Sequence, residues 1–202
     1  MNIPNRLSLL RIILVPVMLV CFLVNFPYHL FVTLGIFIVA SLTDFLDGYI
    51  ARKYNMVTEI GIFLDSIADK ILTTTALMLI AVFNLIPQPY GVLCLFLFVS
   101  RDLIVNALRQ IASTRGIVVS ADKLGKYKAF MLDIAIPVIF LFGALNEMGA
   151  NATLTTVFMW IGYGFMIIAS VLNIISCVHY LVKNKIVFKE KIDTSETKAS
   201  EK

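Results

Sequence analysis

Charge is scarce in this sequence. Only 15% of its 202 residues are Asp, Glu, Lys or Arg, against about 25% in soluble globular domains, which excludes that class. Cysteine is sparse and unpaired. Cys21, Cys94 and Cys177 each stand alone in an apolar run, which excludes a disulfide framework and a zinc site. The two histidines, His29 and His179, have no metal-ligand partner at helical spacing and read as structural. No small-residue cleavage site follows the first apolar stretch, so the N-terminus reads as a retained span and not a signal peptide. There is no internal repeat and no low-complexity tract. No polar linker long enough to divide two domains appears before Lys183.

What the chain has instead is oil. Hydrophobic residues make up 59% of it, with a mean hydropathy of +0.90. Runs long enough to cross a hydrocarbon layer of roughly 30 Å recur along its length. The sequence predicts an all-α, polytopic membrane protein with six transmembrane helices, near 7–25, 29–51, 59–83, 90–113, 123–145 and 153–183. Residues 1–11 mix apolar positions with Asn5, Ser8 and Arg11 and predict a short amphipathic helix on the membrane surface. Thr58 is placed to cap the third helix. One membrane domain over 1–182 precedes a charged tail, 183–202, part of which is expected to be disordered.

Positive charge is absent from the links at 25–29, 84–89 and 143–153. The links at 52–58 and 109–128 carry Arg52, Lys53, Arg109, Arg115, Lys123, Lys126 and Lys128, and the tail carries six lysines. The positive-inside rule then predicts six spans with both termini in the cytoplasm.

Four carboxylates interrupt the apolar pattern in D-x2-D-G-x2-A-R-x8-G-x3-D-x3-D, from Asp44 to Asp69. Asp44 and Asp47 are three apart, and Asp65 and Asp69 four apart, so each pair shares a helix face. Gly48, Ala51 and Gly61 extend those faces with very small side chains. An Asp at the bilayer centre costs about 2.5–3.5 kcal/mol, so four of them predict hydration or bound cations. Oxygen-only ligands favour Mg²⁺, Mn²⁺ or Ca²⁺. Four carboxylates have the capacity for two such ions about 3.5–4 Å apart, an arrangement that serves phosphoryl displacement.

This string resembles the signature of the CDP-alcohol phosphatidyltransferase family at every fixed position. The resemblance implies six transmembrane helices, a homodimer, and attack of an alcohol on the β-phosphorus of a CDP-linked lipid with release of CMP. It implies that Asp44, Asp47, Asp65 and Asp69 bind Mg²⁺ or Mn²⁺, and that Asp69 is also the general base. Gly48, Ala51 and Gly61 would let CDP-diacylglycerol approach the backbone, with Arg52 reaching its phosphates. Asn5, Ser8 and Arg11 resemble the family's N-terminal P-N-x-L-T-x2-R element, Ser8 standing where Thr is usual, and would help enclose the donor.

Spans 4 and 5 bear on the acceptor. Arg101, Arg109, Lys126 and Lys128 are cations beside a phosphoryl-transfer site, which predicts an acceptor that itself carries a phosphate. Arg101 is equally placed for a structural ion pair with Asp102 or Asp133. This half resembles the branch of the family that makes phosphatidylglycerol phosphate, which implies sn-glycerol 3-phosphate held by those four cations. Ser66 stands where that branch usually has Pro. Inositol or its phosphate, serine or phosphatidylglycerol are the alternative acceptors. A divalent-cation transporter is the alternative of another class, opposed by the lack of acids in the outer halves of spans 2 and 3. The expected setting is the cell membrane, with the active site facing the cytoplasm, membrane lipids as surroundings and no nucleic acid.

Overall fold

A computed structural model describes residues 2–24, 26–54, 58–114 and 123–184, leaving aside the side chains of Ile3, Arg52 and Lys123. Among these residues the elements are six helices: α1 Ile3–Leu23, α2 His29–Lys53, α3 Glu59–Val82, α4 Tyr90–Thr114, α5 Lys123–Glu147 and α6 Ala152–Lys183. Five of them, α1, α2, α4, α5 and α6, are long and apolar enough to cross a membrane. The third carries Glu59, Asp65, Asp69 and Lys70 and falls short of that apolarity. Residues 55–57 and 115–122, parts of the predicted basic links, and the tail beyond residue 184 lie outside the described residues.

The separate surface helix expected over residues 1–11 is not found. The first helix runs unbroken from Ile3 to Leu23. Pro4 sits in its first turn, where a missing N–H leaves no intrahelical bond unmade. Ser8 and Arg11 point inward and are bonded to acids of the second and third helices, so this stretch is held in the bundle. The expected cap is present: Thr58 Oγ1 accepts from the Gly61 N–H at 3.0 Å.

Large apolar side chains cover the outside, among them Phe45, Leu103 and Trp160, each at least 65% exposed. A soluble protein does not present such a surface; hydrocarbon is its natural surrounding. Inside lipid, helices associate by close fit and not by the hydrophobic effect. Fully buried Ala40, Ala76, Ala135 and Ala169 supply that fit, with Phe37, Ile136, Phe140 and Met166 filling the space between. The first helix lies against both α2 and α3, and α5 against α6 and α2. Side-chain contacts join the start of α1 to the end of α2 and the start of α3, the start of α5 to α4, and the end of α4 to the end of α6, at one end of the bundle. The chemistry-bearing residues collect there.

Candidate active site

The end of α2 and the start of α3 carry the acids. Oxygen atoms of Asp44, Asp47 and Asp65 lie within 4.8 Å of one another. The i, i+3 spacing puts the first two on one face of α2, and the third reaches across from α3. Like charges at that separation repel by at least about 3 kcal/mol per pair at an effective dielectric of 20. A cation must therefore be part of the arrangement.

One is built in. Arg11, wholly buried, donates from Nη2 to Asp47 Oδ2 at 2.7 Å and from Nη1 to Asp65 Oδ1 at 3.2 Å, and its Nη1 also pairs with Asp44 Oδ1. Ser8 Oγ donates to Asp47 at 3.1 Å. One guanidinium against three carboxylates leaves two negative charges uncompensated. The Asp47 side chain is 4% exposed, while those of Asp44 and Asp65 are 46% and 50% exposed and open away from Arg11. Converging, oxygen-only and partly open donors fit a hard divalent cation.

Asp69 is not part of this trio. It lies one turn further along α3, exposed, and in electrostatic range of Arg11, Asp44 and Asp65 as well as of Asp102 and Lys128.

Beside Asp47 and Asp65 is a cavity of about 80 Å³ lined by Asn5, Ser8, Gly48, Ala51, Thr58 and Gly61. Five of the residues expected at the donor site thus line one space. Gly61 is needed there. A Cβ at this position would stand 2.5 Å from Asn5 Oδ1 and 2.9 Å from Thr58 Oγ1. Asn5 Nδ2 in turn donates to Thr58 Oγ1 at 3.2 Å, tying α1 to the start of α3. Arg11, expected in the donor group, sits instead among the carboxylates. The side chain of Arg52 lies outside the described residues.

The four expected acceptor cations divide. Asp102 Oδ1 accepts from Arg101 Nη1 and from Lys128 Nζ, each at 3.0 Å. Arg109 is two turns on, about 12 Å along α4, where its Nε donates to Tyr180 Oη at 3.2 Å. Lys126 is exposed, and two residues from Lys128 is the opposite side of a helix. The structure brings Arg101 and Lys128 together and does not bring Arg109 or Lys126 to them. Thr58 and Ser176 were missed as site residues; the signal for Ser176 was a hydroxyl inside an apolar helix.

Residues 1–168 match the sequence model of CDP-alcohol phosphatidyltransferases. The chain belongs to that family. A CDP-diacylglycerol–glycerol-3-phosphate 3-phosphatidyltransferase of Bacillus subtilis is 33% identical over 181 residues, 83% of this chain and 91% of the relative. Proteins of the same name from Rickettsia bellii and Pseudomonas fluorescens are 35% and 31% identical, over 74% and 90% of this chain and 78% and 89% of theirs. In this CDP-alcohol phosphatidyltransferase, then, the motif's first three acids form one group and the fourth lies in electrostatic range of that group and of Lys128.

Proposed function

We propose that this chain transfers the phosphatidyl group of CDP-diacylglycerol to sn-glycerol 3-phosphate, giving phosphatidylglycerol phosphate and CMP. The observation that supports the reading is a carboxylate trio suited to a cation-bound diphosphate and a basic pair, Arg101 and Lys128, suited to a phosphate, with Asp69 in electrostatic range of the trio and of Lys128. The names of the relatives support the choice of both substrates.

Asp44, Asp47 and Asp65, with Asp69 at the edge, would hold Mg²⁺ or Mn²⁺, in our reading two ions. Bound there, the metal neutralises charge on the diphosphate. Asn5, Ser8, Gly48, Ala51 and Gly61 enclose the donor's polar end, and Gly61 lets it approach the helix backbone. Arg101 and Lys128 hold the phosphate of the acceptor and so orient its hydroxyl. Asp69 takes the proton from that hydroxyl as the oxygen attacks the β-phosphorus. The bond from that phosphorus to the bridging oxygen breaks, and its electron pair leaves with CMP.

We further infer that all six helices span the cell membrane, with both termini and the site at the cytoplasmic face. The distribution of Lys and Arg among the links supports this orientation. Family membership supports a homodimer.

The test is release of CMP by purified protein given CDP-diacylglycerol, Mg²⁺ or Mn²⁺, and one acceptor at a time. Release with sn-glycerol 3-phosphate is expected. Release only with inositol, serine or another alcohol overturns the choice of acceptor, and metal flux into liposomes without nucleotide dependence overturns the enzyme.

A further inference from the structure

We propose that Asp102 is a positioning residue: its carboxylate joins Arg101 of α4 and Lys128 of α5 into one two-pronged cradle for the acceptor's phosphate, without itself touching substrate. The inference rests on the reading that these two cations bind that phosphate.

Arg101 and Asp102 are neighbours on α4, so their side chains leave the helix about 100° apart and do not meet by helix geometry alone. They meet because the guanidinium is fixed from two directions. Nη1 donates to Asp102 Oδ1 at 3.0 Å and Nη2 to Ser176 Oγ of α6 at 3.1 Å. Gly125 leaves room for it: a Cβ there would lie 3.1 Å from Nη2. Lys128 arrives from α5, 6% exposed, with Nζ 5.1 Å from the centre of the Phe98 ring and 3.0 Å from the same Asp102 oxygen. One carboxylate oxygen thus collects cations from two helices.

Asp69 and Asp133 also lie in electrostatic range of Lys128, so the local charge is near balance. What is left over is a donor: Arg101 Nε is buried with no hydrogen-bond partner among the described residues, and a buried N–H calls for an acceptor. Both cations contact the same oxygen, so they are held a few ångströms apart, and without Asp102 their mutual repulsion, about 3 kcal/mol at an effective dielectric of 20, separates them. A phosphate oxyanion satisfies that donor, and the preset spacing offers it both cations at once. Asp69, in electrostatic range of Lys128 and Asp102, is the base to which a phosphate held there would bring the acceptor's hydroxyl.

The experiment compares KM for sn-glycerol 3-phosphate and for CDP-diacylglycerol in Asp102→Ala, Asp102→Glu, Ser176→Ala and Arg101→Gln enzymes in detergent. Asp102→Ala is expected to raise the glycerol 3-phosphate KM about tenfold, as loss of charge-assisted hydrogen bonds does. The CDP-diacylglycerol KM stays within about twofold, because the donor cavity shares no residue with the cradle. Asp102→Glu recovers part of the loss, and Ser176→Ala shows a smaller rise in the same parameter. If Asp102→Ala is too unstable to assay, the Glu and Ser176 variants carry the test. An unchanged or lower glycerol 3-phosphate KM in Asp102→Ala, with Arg101→Gln raised, means that Asp102 only screens the cations and overturns the inference. An unchanged KM in Arg101→Gln overturns instead the underlying assignment of the phosphate site.

Discussion

Replacing Arg11 by Gln asks how the acid group survives without metal. Among the described residues the guanidinium is the one cation that contacts Asp44, Asp47 and Asp65 together, and it links α1 to α2 and α3. Breaking a buried ion pair costs about 3–5 kcal/mol. Only the Asp47 contact is buried on both sides, while Asp44 and Asp65 are about half exposed and screened by water. The loss is therefore set by one pair and not by three, at about 3 kcal/mol. For a chain of this size that lowers the thermal midpoint by roughly 6–12 °C. The assay is heating in detergent, followed by fluorescence of the single tryptophan, Trp160, with EDTA or with saturating Mn²⁺. In EDTA the variant melts well below the wild type; with Mn²⁺, which supplies the missing positive charge, most of the gap closes. Equal midpoints in EDTA, or a gap that Mn²⁺ leaves unchanged, refute the reasoning.

Three further outcomes are expected. Asp69→Asn lowers CMP release by about 10²–10⁴-fold while binding of CDP-diacylglycerol, followed by isothermal calorimetry, is largely retained. Gly61→Ala drives a methyl group against Asn5 and Thr58; it raises the CDP-diacylglycerol KM about tenfold and leaves the glycerol 3-phosphate KM in place. Arg109→Ala, which removes a partner of Tyr180 and not of the site, changes the glycerol 3-phosphate KM by less than about threefold, well below the effect of Arg101→Gln.

The helices and the acids were readable because their signals are local. Apolar runs and turn residues mark the helices to within a few residues, and the acids' i, i+3 and i, i+4 spacing fixes which side chains share a face. Asn5 and Ser8, grouped with Gly48, Ala51 and Gly61 from the sequence, line one cavity with them. Arg11 was assigned to that same group, but its contacts lie on α2 and α3, 33 residues or more away in sequence, and no periodicity reports them. The inward turn of Ser8 and Arg11 also explains why no surface helix forms. Apolar moment alone does not distinguish polar residues facing water from polar residues facing buried carboxylates. The division of the four cations has two origins. That Lys126 and Lys128 face opposite ways follows from helix phase and was legible. That Lys128 reaches Asp102 depends on how α4 packs against α5 and α6, which only the tertiary structure gives.

Anomalous scattering from Mn²⁺ in crystals grown with CDP-diacylglycerol tests the central claim most directly. The account predicts a peak bounded by Asp44, Asp47 and Asp65, with the β-phosphate of the lipid against it and Asp69 facing the open side. Manganese found elsewhere, or the diphosphate bound away from these three carboxylates, contradicts it.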